Sequence, residues 1–217
     1  MTYDGHVEPG GDPAARELDA LTVTKVSVGP MDNNAYLLES RSTGDLLLVD
    51  AANDADRLLA LVAGRPLGAV VTTHRHFDHW QGLQEVVTAT GARTYAGADD
   101  AEGIPVPTDQ TLTDGDTVAV GDCTLRVVAL VGHTPGSIAL VYDDPAGHSH
   151  LFTGDSLFPG GPGKTANPKD FSTLMDDLEA RIFGVLDDAT WFYPGHGDDS
   201  TLGAQRPSLP EWRSRGW

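Results

Sequence analysis

The chain has 217 residues, of which 14 are basic and 32 acidic, and its formal net charge is −18 at neutral pH. This acidic balance repels phosphate backbones and no basic cluster offsets it, so we expect no nucleic-acid partner. No apolar run is long enough for a membrane span, no signal peptide is recognisable, and the single cysteine, Cys123, excludes an internal disulfide, so we expect a cytoplasmic protein without a membrane partner.

The first half of the chain predicts an arm followed by strands and helices. Residues 1 to about 20 are polar and rich in glycine and proline, and we expect a flexible N-terminal arm there, with a single domain over residues 21–217. Asp54 is the expected cap of one helix, and apolar residues at helical spacing predict another helix up to Thr90. Alternating and β-branched stretches predict strands over residues 21–28, 34–39, 46–50 and 67–73.

The second half of the chain continues the alternation of strands and helices. Residues 97–108 are expected to be irregular, residues 157–169 to form a glycine- and proline-rich loop, and the tail from Ser200 to form a short helix and then coil. A long helix is expected to begin near Asp170. Strands are expected over residues 93–96, 117–120, 124–128, 137–142, 150–153 and 191–193. This order predicts an α/β protein, for which two sheets covered by outer helices is one arrangement.

The most informative stretch follows the expected strand at residues 67–73. It reads Thr73-His74-Arg75-His76-Phe77-Asp78-His79 and holds three of the eight histidines. In extended backbone, residues two apart point to the same side, so His74 and His76 can bind one ion together. Asp78 and His79 come after the chain has begun to turn and can face a second position. Imidazole and carboxylate ligands without thiolate favour zinc, iron or manganese.

Three further stretches place a ligand-type residue after an apolar strand and beside glycine, which allows a sharp turn. They are Gly132-His133-Thr134-Pro135-Gly136, Gly154-Asp155-Ser156 and Gly195-His196-Gly197. With the histidine cluster they supply two sets of three ligands, namely His74, His76 and His133, and then Asp78, His79 and His196. Asp155 has two carboxylate oxygens that can bridge both sets. The remaining histidines are expected to be exposed, and they are His6, His148 and His150.

These motifs, in this order, resemble the metal-binding motifs of the metallo-β-lactamase-fold hydrolases, and the chain is most similar to the short bacterial members of the glyoxalase II-like branch. The resemblance covers about residues 20 to 205 and implies an αββα sandwich, in which two mixed β-sheets are flanked by helices and the site lies at one edge. It also implies that Asp155 bridges two metals, at a position where β-lactamases with a mixed-ligand second site carry cysteine. This difference argues against antibiotic hydrolysis. Asp50 matches the family's first motif and is expected to orient the histidine loop.

A dinuclear site suggests a hydrolytic mechanism. Two metal ions roughly 3.5–4 Å apart can hold a water between them and lower its pKa to about 7, which provides hydroxide at neutral pH. We expect two zinc ions, with iron or manganese as alternatives, and a hydroxide that attacks the carbonyl of a small thioester or ester. A thiolate leaves with little help from an acid. The expected catalytic residues are Asp155, as the bridge, and Asp78, which can accept the proton of the water.

The substrate contacts are predicted from the resemblance and from residue type. Lys164 falls where glyoxalase II enzymes carry a basic residue that contacts glutathione, and the alternative is a solvated loop lysine. Phe77 and Phe158 are candidates for an apolar wall. Long glyoxalase II proteins add glutathione contacts from a helical C-terminal extension, and Arg206 is a candidate substitute here. Another small thiol or a different acyl substrate is therefore an alternative to glutathione.

Other functions share these motifs. A mononuclear iron dioxygenase acting on a persulfide would bind its iron through His74, His133 and Asp155. Lactonase and phosphodiesterase activities are alternatives among the hydrolases. A metal-free binding module is the remaining alternative, and failure to bind metal would be its signature.

Overall fold

The first of two mixed β-sheets contains the strand that precedes the histidine cluster. The computed structural model describes residues 3–216, and within them this sheet has seven strands in chain order. They are β1 (Ala14–Glu17), β2 (Leu21–Val28), β3 (Asn33–Ser40), β4 (Leu46–Val49), β5 (Leu67–Thr72), β6 (Arg93–Gly97) and β7 (Gln110–Leu112). The strands from β1 to β4 are antiparallel, and those from β4 to β7 are parallel.

The second sheet supplies the strands that precede the other predicted ligands. Its strands, with a short separate hairpin, are β8 (Thr117–Val120), β9 (Cys123–Ala129), β10 (Ile138–Asp143), β11 (Ser149–Gly154), β12 (Leu157–Phe158), β13 (Gly161–Pro162), β14 (Trp191–Pro194) and β15 (Ser200–Thr201). Within residues 3–216 the sheet order is β15-β14-β11-β10-β9-β8, and β12 pairs only with β13. The neighbours β11 and β14 are parallel, which brings their C-terminal ends to the same edge.

Helices cover the outer faces of both sheets. The helices are α1 (Ala55–Val62), α2 (Leu83–Thr90), α3 (Pro168–Asp177), α4 (Leu202–Gln205) and α5 (Leu209–Arg215), and a π-helical segment over Leu178–Phe183 continues α3. Apolar clusters lie between the two sheets, between the first sheet and the helices α1 and α2, and between the second sheet and the remaining helices. The expected αββα sandwich is therefore confirmed. No helix within residues 3–216 is both long and apolar enough to cross a bilayer.

The residue pattern of β4 shows why the sequence forms these layers. Leu47 and Val49 belong to the apolar cluster between the sheets, whereas Leu46 and Leu48 belong to the cluster under α1 and α2. All four side chains are buried. A strand covered on both faces needs apolar residues at every position, because alternate side chains point to opposite faces. The continuous apolar run therefore places β4 in the middle of the fold, with Asp50 directly after it.

The prediction of a flexible N-terminal arm is wrong for the part of it that the structure describes. Residues 14–17 form β1 and pair antiparallel with β2. The hydroxyl of Tyr3 donates to Asp199 Oδ2 over 2.5 Å, and Lys25 Nζ donates to the carbonyl of Gly5 over 2.7 Å. These long-range contacts order a segment whose composition alone predicts a loose chain. Met1 and Thr2 lie outside the described residues.

Several local predictions also need correction. His150, expected to be exposed, is buried in β11 and shares a 2.9 Å hydrogen bond with the hydroxyl of Tyr193. The expected C-terminal coil contains α5, because Trp212 is buried against the second sheet's outer cluster. The side chain of Asp54 does not cap α1, although it precedes that helix, and instead accepts the N–H of Gly29.

Candidate metal centre

The seven predicted ligands lie close together, and each follows the C-terminal end of a strand. Four of them come from the loop after β5 in the first sheet, and they are His74, His76, Asp78 and His79. The other three follow β9, β11 and β14 of the second sheet, and they are His133, Asp155 and His196. Ligand atoms from both groups lie within 4.8 Å of one another in sets of three. The centre is therefore assembled across the two sheets.

Three histidines form the first set. His74 Nε2 lies 3.1 Å from His76 Nδ1 and 3.3 Å from His133 Nε2. Two nitrogens bound at 2.0–2.1 Å to one tetrahedral ion lie about 3.3 Å apart, so these separations fit a shared ion. Burial lowers the pKa of all three rings, which favours the neutral imidazole that a metal requires. We refer to these three residues as the first metal position.

The outer nitrogens of two of these rings are held by hydrogen bonds. The Thr73 hydroxyl donates to Asp50, so Thr73 Oγ1 accepts from His74 Nδ1 at 3.1 Å. His133 Nδ1 donates to the carbonyl of Lys164 at 2.6 Å. With the proton on Nδ1, the lone pair of each Nε2 points into the site. The backbone and Thr73 thereby fix the tautomer and the orientation of both rings.

The second set contains Asp78, His79 and His196, which we call the second metal position. Asp78 Oδ2 lies 3.3 Å from His196 Nε2 and 3.7 Å from His79 Nε2. His79 Nδ1 donates to Asp50 Oδ2 at 2.8 Å, and His196 Nδ1 donates to the carbonyl of Met31 at 3.0 Å. In both rings Nε2 is again the atom that faces the centre.

Asp155 lies between the two positions. Its Oδ1 is 3.3 Å from His79 Nε2, and its Oδ2 is 3.7 Å from His133 Nε2 and 3.6 Å from His196 Nε2. Burial alone would raise the pKa of Asp155, but His79 and the other histidines outweigh it and hold that pKa well below its usual range. Burial alone would lower the pKa of His79, but the Asp155 and Asp50 carboxylates raise it to about 10.

Two buried atoms at the centre lie close together without a well-formed hydrogen bond. Within residues 3–216, neither His79 Nε2 nor Asp155 Oδ1 makes a hydrogen bond of normal geometry, although the two atoms lie 3.3 Å apart and attract each other by charge. Native proteins rarely leave buried polar atoms unpaired. A cation between them would satisfy both, and the nitrogen and oxygen donors around it are typical ligands of divalent transition metals. The residues present therefore fit a metal centre.

Asp50 holds the beginning and the end of the histidine cluster. Its Oδ1 accepts the N–H of Thr73 at 2.7 Å, and its Oδ2 accepts the hydroxyl of Thr73 and His79 Nδ1, each at 2.8 Å. The carboxylate is buried and is directed at the outer nitrogen of His79 rather than at the centre. This arrangement is that of a residue that orients a ligand.

The predicted substrate contacts differ in their placement. Lys164, His76 and His133 line a cavity of about 330 Å³ together with Thr165 and Ala166. The Phe158 ring lies 6.4 Å from the His196 ring, and Phe77 is 56% exposed beside Asp78. These three candidates therefore lie around the metal centre.

Arg206 does not fit its predicted role as a substrate contact. Its guanidinium donates to Asp188 Oδ1 and to the backbone carbonyls of Phe183 and Leu186. These bonds attach the turn after α4 to the end of the helical segment that follows α3. The donors that would bind a substrate carboxylate are thus engaged in the fold.

Asn33 is a site residue that the sequence analysis missed. Its buried Nδ2 donates to Asp78 Oδ2 at 3.0 Å and lies 3.3 Å from His196 Nε2. The neighbouring Asn34 donates to the carbonyls of Pro194 and Gly197, on both sides of His196. Two consecutive asparagines at the start of a strand are unfavourable for strand formation, and this local conflict was the available signal.

Comparison with known proteins agrees with this geometry. The chain matches the family model of the metallo-beta-lactamase superfamily over residues 28–196, and it therefore belongs to that superfamily. The hydroxyacylglutathione hydrolase of Fuscovulum blasticum is 42% identical over 134 residues, which are 61% of this chain and 51% of that protein. The hydroxyacylglutathione hydrolase of Jannaschia sp. (strain CCS1) is 35% identical over 165 residues, which are 76% of this chain and 59% of that protein. The chain thus spans little more than half the length of these relatives.

Solved structures share the fold over most of the chain. ETHE1 from Myxococcus xanthus is 27% identical with a TM-score of 0.76, and the match covers 88% of this chain and 84% of that one. TTHA1623, crystallised in a di-iron-bound form, is 30% identical with a TM-score of 0.71, and the match covers 86% and 98% of the two chains. The resemblance inferred from the four motifs is confirmed at the level of the superfamily.

Proposed function

We propose that this chain is a metal-dependent hydrolase that cleaves a small thioester or ester. The observation that carries the proposal is the position of Asp155, whose two oxygens reach the first and the second metal position at once. The similarity to hydroxyacylglutathione hydrolases supports a thioester as the substrate class. The similarity to a protein crystallised with two iron ions supports a dinuclear centre.

The chemistry follows from what each side chain can do. Bound divalent ions, which we propose to be zinc, with iron or manganese as alternatives, would lower the pKa of a water and polarise the substrate carbonyl. Asp78 is the proposed acceptor of the proton that the attacking water loses. One proton-accepting carboxylate is sufficient, because a thiolate leaving group needs little protonation. Asn33 donates to Asp78 Oδ2 and thereby holds this carboxylate in a fixed orientation.

The cavity beside the first metal position is the proposed binding site of the thiol part of the substrate. Its volume of about 330 Å³ suits a small molecule. The Lys164 side chain can pair with a substrate carboxylate, while the backbone carbonyl of the same residue holds His133 Nδ1. Phe77 and Phe158 are the proposed apolar contacts of the substrate.

Metal content and hydrolysis, measured on the same purified protein, test the proposal. We expect two zinc ions per chain and hydrolysis of hydroxyacylglutathione or another thioester in a panel that also contains lactones and simple esters. Asp155→Asn should lower both metal affinity and activity by more than the factor of about 10–100 that is typical when a hydrogen-bond partner of a metal ligand is lost. Asp56→Asn is the matched control, because Asp56 is exposed and lies outside both metal positions. One iron per chain with oxygen consumption on a persulfide, or no metal after reconstitution, would contradict the proposal.

A further inference from the structure

A buried carboxylate outside the ligand set connects the two loops that form the first metal position. Asp100 follows β6 and has no solvent exposure. Its Oδ2 accepts the N–H of Arg75 at 3.0 Å and the hydroxyl of Thr134, and its Oδ1 accepts the N–H of Gly136 at 2.9 Å. Arg75 lies between His74 and His76 in the chain, and Thr134 follows His133. One side chain therefore bonds to both loops, directly beside the ligands.

The hydroxyl of Thr134 is part of a short directional chain of hydrogen bonds. The Asp100 carboxylate can only accept, so Thr134 Oγ1 donates to it. Thr134 Oγ1 therefore accepts from the hydroxyl of Ser137 at 2.5 Å, and Ser137 Oγ accepts the N–H of Thr134 at 3.2 Å. The three side chains are buried and mutually satisfied. The loop that carries His133 is thus closed on itself and then fixed to Asp100.

Close backbone contact holds Asp100 in place against this loop. A Cβ added at Gly97 would lie 2.0 Å from the carbonyl oxygen of Gly136. A Cβ added at Gly136 would lie 2.3 Å from the nitrogen of Asp100. Neither residue could carry a side chain, because the turn after β6 and the loop touch through their main chains. The Asp100 carboxylate is therefore fixed relative to the His133 loop, and from this position it accepts the N–H of Arg75 in the His74–His76 loop.

We propose that Asp100 is a positioning residue that sets the distance between the His74–His76 loop and the His133 loop, and through that distance the affinity of the first metal position. The inference rests on the proposed metal centre and extends it to a residue that contacts neither metal nor substrate. Asp50 holds the two ends of a single loop, whereas Asp100 holds two loops from different sheets together. The ion pair of Arg75 Nε with Asp100 Oδ1, at 3.7 Å, adds a second contact from the first loop.

Zinc affinity measured by competition with a chelator tests the proposal directly. The metal-free protein is titrated with zinc alone, and Asp100→Asn is compared with Asp99→Asn and the wild type. An asparagine presents one oxygen and an amide group that cannot accept, so at least one of the three hydrogen bonds to this side chain is lost together with its charge. We expect zinc binding to the Asp100→Asn variant to weaken by a factor of about 10–100. Asp99→Asn makes the same change of charge at an exposed neighbouring residue and should leave affinity unchanged.

A second pair of variants tests the connection without altering Asp100. Thr134→Val removes the donated hydrogen bond and keeps the shape of the side chain, whereas Thr134→Ser keeps the hydroxyl. We expect weaker zinc binding in the valine variant and wild-type binding in the serine variant. This pair decides the question if Asp100→Asn does not fold. Leu58→Ala creates a cavity beneath α1 and lowers stability without altering either loop. This variant should retain zinc affinity, and it therefore separates a positioning role from general destabilisation.

The outcomes distinguish this inference from the proposed function. Unchanged zinc affinity in both Asp100→Asn and Thr134→Val, with tight binding by the wild type, would overturn the positioning role and leave the metal centre intact. Absence of zinc binding by the wild type would overturn both. Loss of affinity in Leu58→Ala equal to that in Asp100→Asn would show that affinity follows global stability, and it would also overturn the positioning role.

Discussion

At the residue scale, Gly195 has no side chain, and this allows Asp155 and His79 to pack against its backbone. A Cβ at this position would lie 2.1 Å from Asp155 Oδ1 and 2.7 Å from His79 Cε1. Gly195→Ala therefore adds one methyl group where the Asp155 carboxylate and the His79 ring already lie against the backbone. We expect Asp155 or His79 to be displaced and metal affinity and hydrolysis to fall by a factor of about 10–100. Zinc stoichiometry and kcat measured together would show the loss.

Gly147→Ala is the matched control for this substitution. Gly147 lies in the exposed turn between β10 and β11, and the nearest atom to an added Cβ is Asp144 Oδ2 at 3.5 Å, which is ordinary contact. That variant should retain zinc and activity. Full metal occupancy and full activity in Gly195→Ala would mean that the Asp155 carboxylate does not occupy the bridging position.

At the scale of secondary-structure elements, a buried ion pair joins β2 to the N-terminal segment and to the loop after β14. Lys25 Nζ, on β2, donates to Asp199 Oδ1 and to the carbonyls of Gly5 and Gly197, each at 2.7 Å. Neither side chain of the pair is exposed. Removing one partner of a buried ion pair leaves an uncompensated charge, so Lys25→Met should lower the free energy of unfolding by about 3–5 kcal/mol. Urea unfolding of the two proteins measures the difference.

The double variant Lys25→Met/Asp199→Asn tests the cause of this loss. Because it also removes the stranded carboxylate, it should be more stable than Lys25→Met alone. Arg65→Met breaks the half-exposed 2.7 Å ion pair of Arg65 with Glu39 and, as a control, should cost under about 1 kcal/mol. If the double variant were no more stable than Lys25→Met, the interpretation that the unpaired charge causes the destabilisation would be contradicted.

The same elements show what the sequence could predict. Strands such as β4 were predictable because their apolar pattern reflects burial on both faces. The ligands were predictable because histidine and aspartate beside glycine at strand ends form a local pattern. The ordered N-terminal segment was not predictable, because its residue Tyr3 bonds to Asp199, which is 196 residues away in the chain. Asp100 was missed for the same reason, since its partner Thr134 is distant in the chain, whereas the asparagine pair at the start of β3 was a local signal for Asn33.

The candidate metal centre, at the scale of the whole molecule, lies where the two sheets of the sandwich meet. The loop after β5 supplies four candidate ligands from the first sheet, and the second sheet supplies the other three. An apolar cluster fills most of the space between the sheets, and the Lys25–Asp199 pair is buried there as well. An ion bound by ligands from both sheets stabilises only the folded state, because the unfolded chain does not bring these ligands together. We therefore expect metal binding to be coupled to the association of the two sheets.

This coupling predicts that chelation destabilises the entire fold. A ligand at 100 times its Kd adds about 2.7 kcal/mol to the free energy of unfolding, and each further tenfold rise in its concentration adds about 1.4 kcal/mol. Denaturant unfolding at increasing free zinc concentrations should show this dependence, and removal of zinc should reverse it. In His196→Ala the zinc-dependent increase should be smaller, because the second metal position loses one of its ligands. If the free energy of unfolding of the wild type were the same with and without saturating zinc, the sheets would not be joined by the ion, since binding that spares the unfolded state must add to stability.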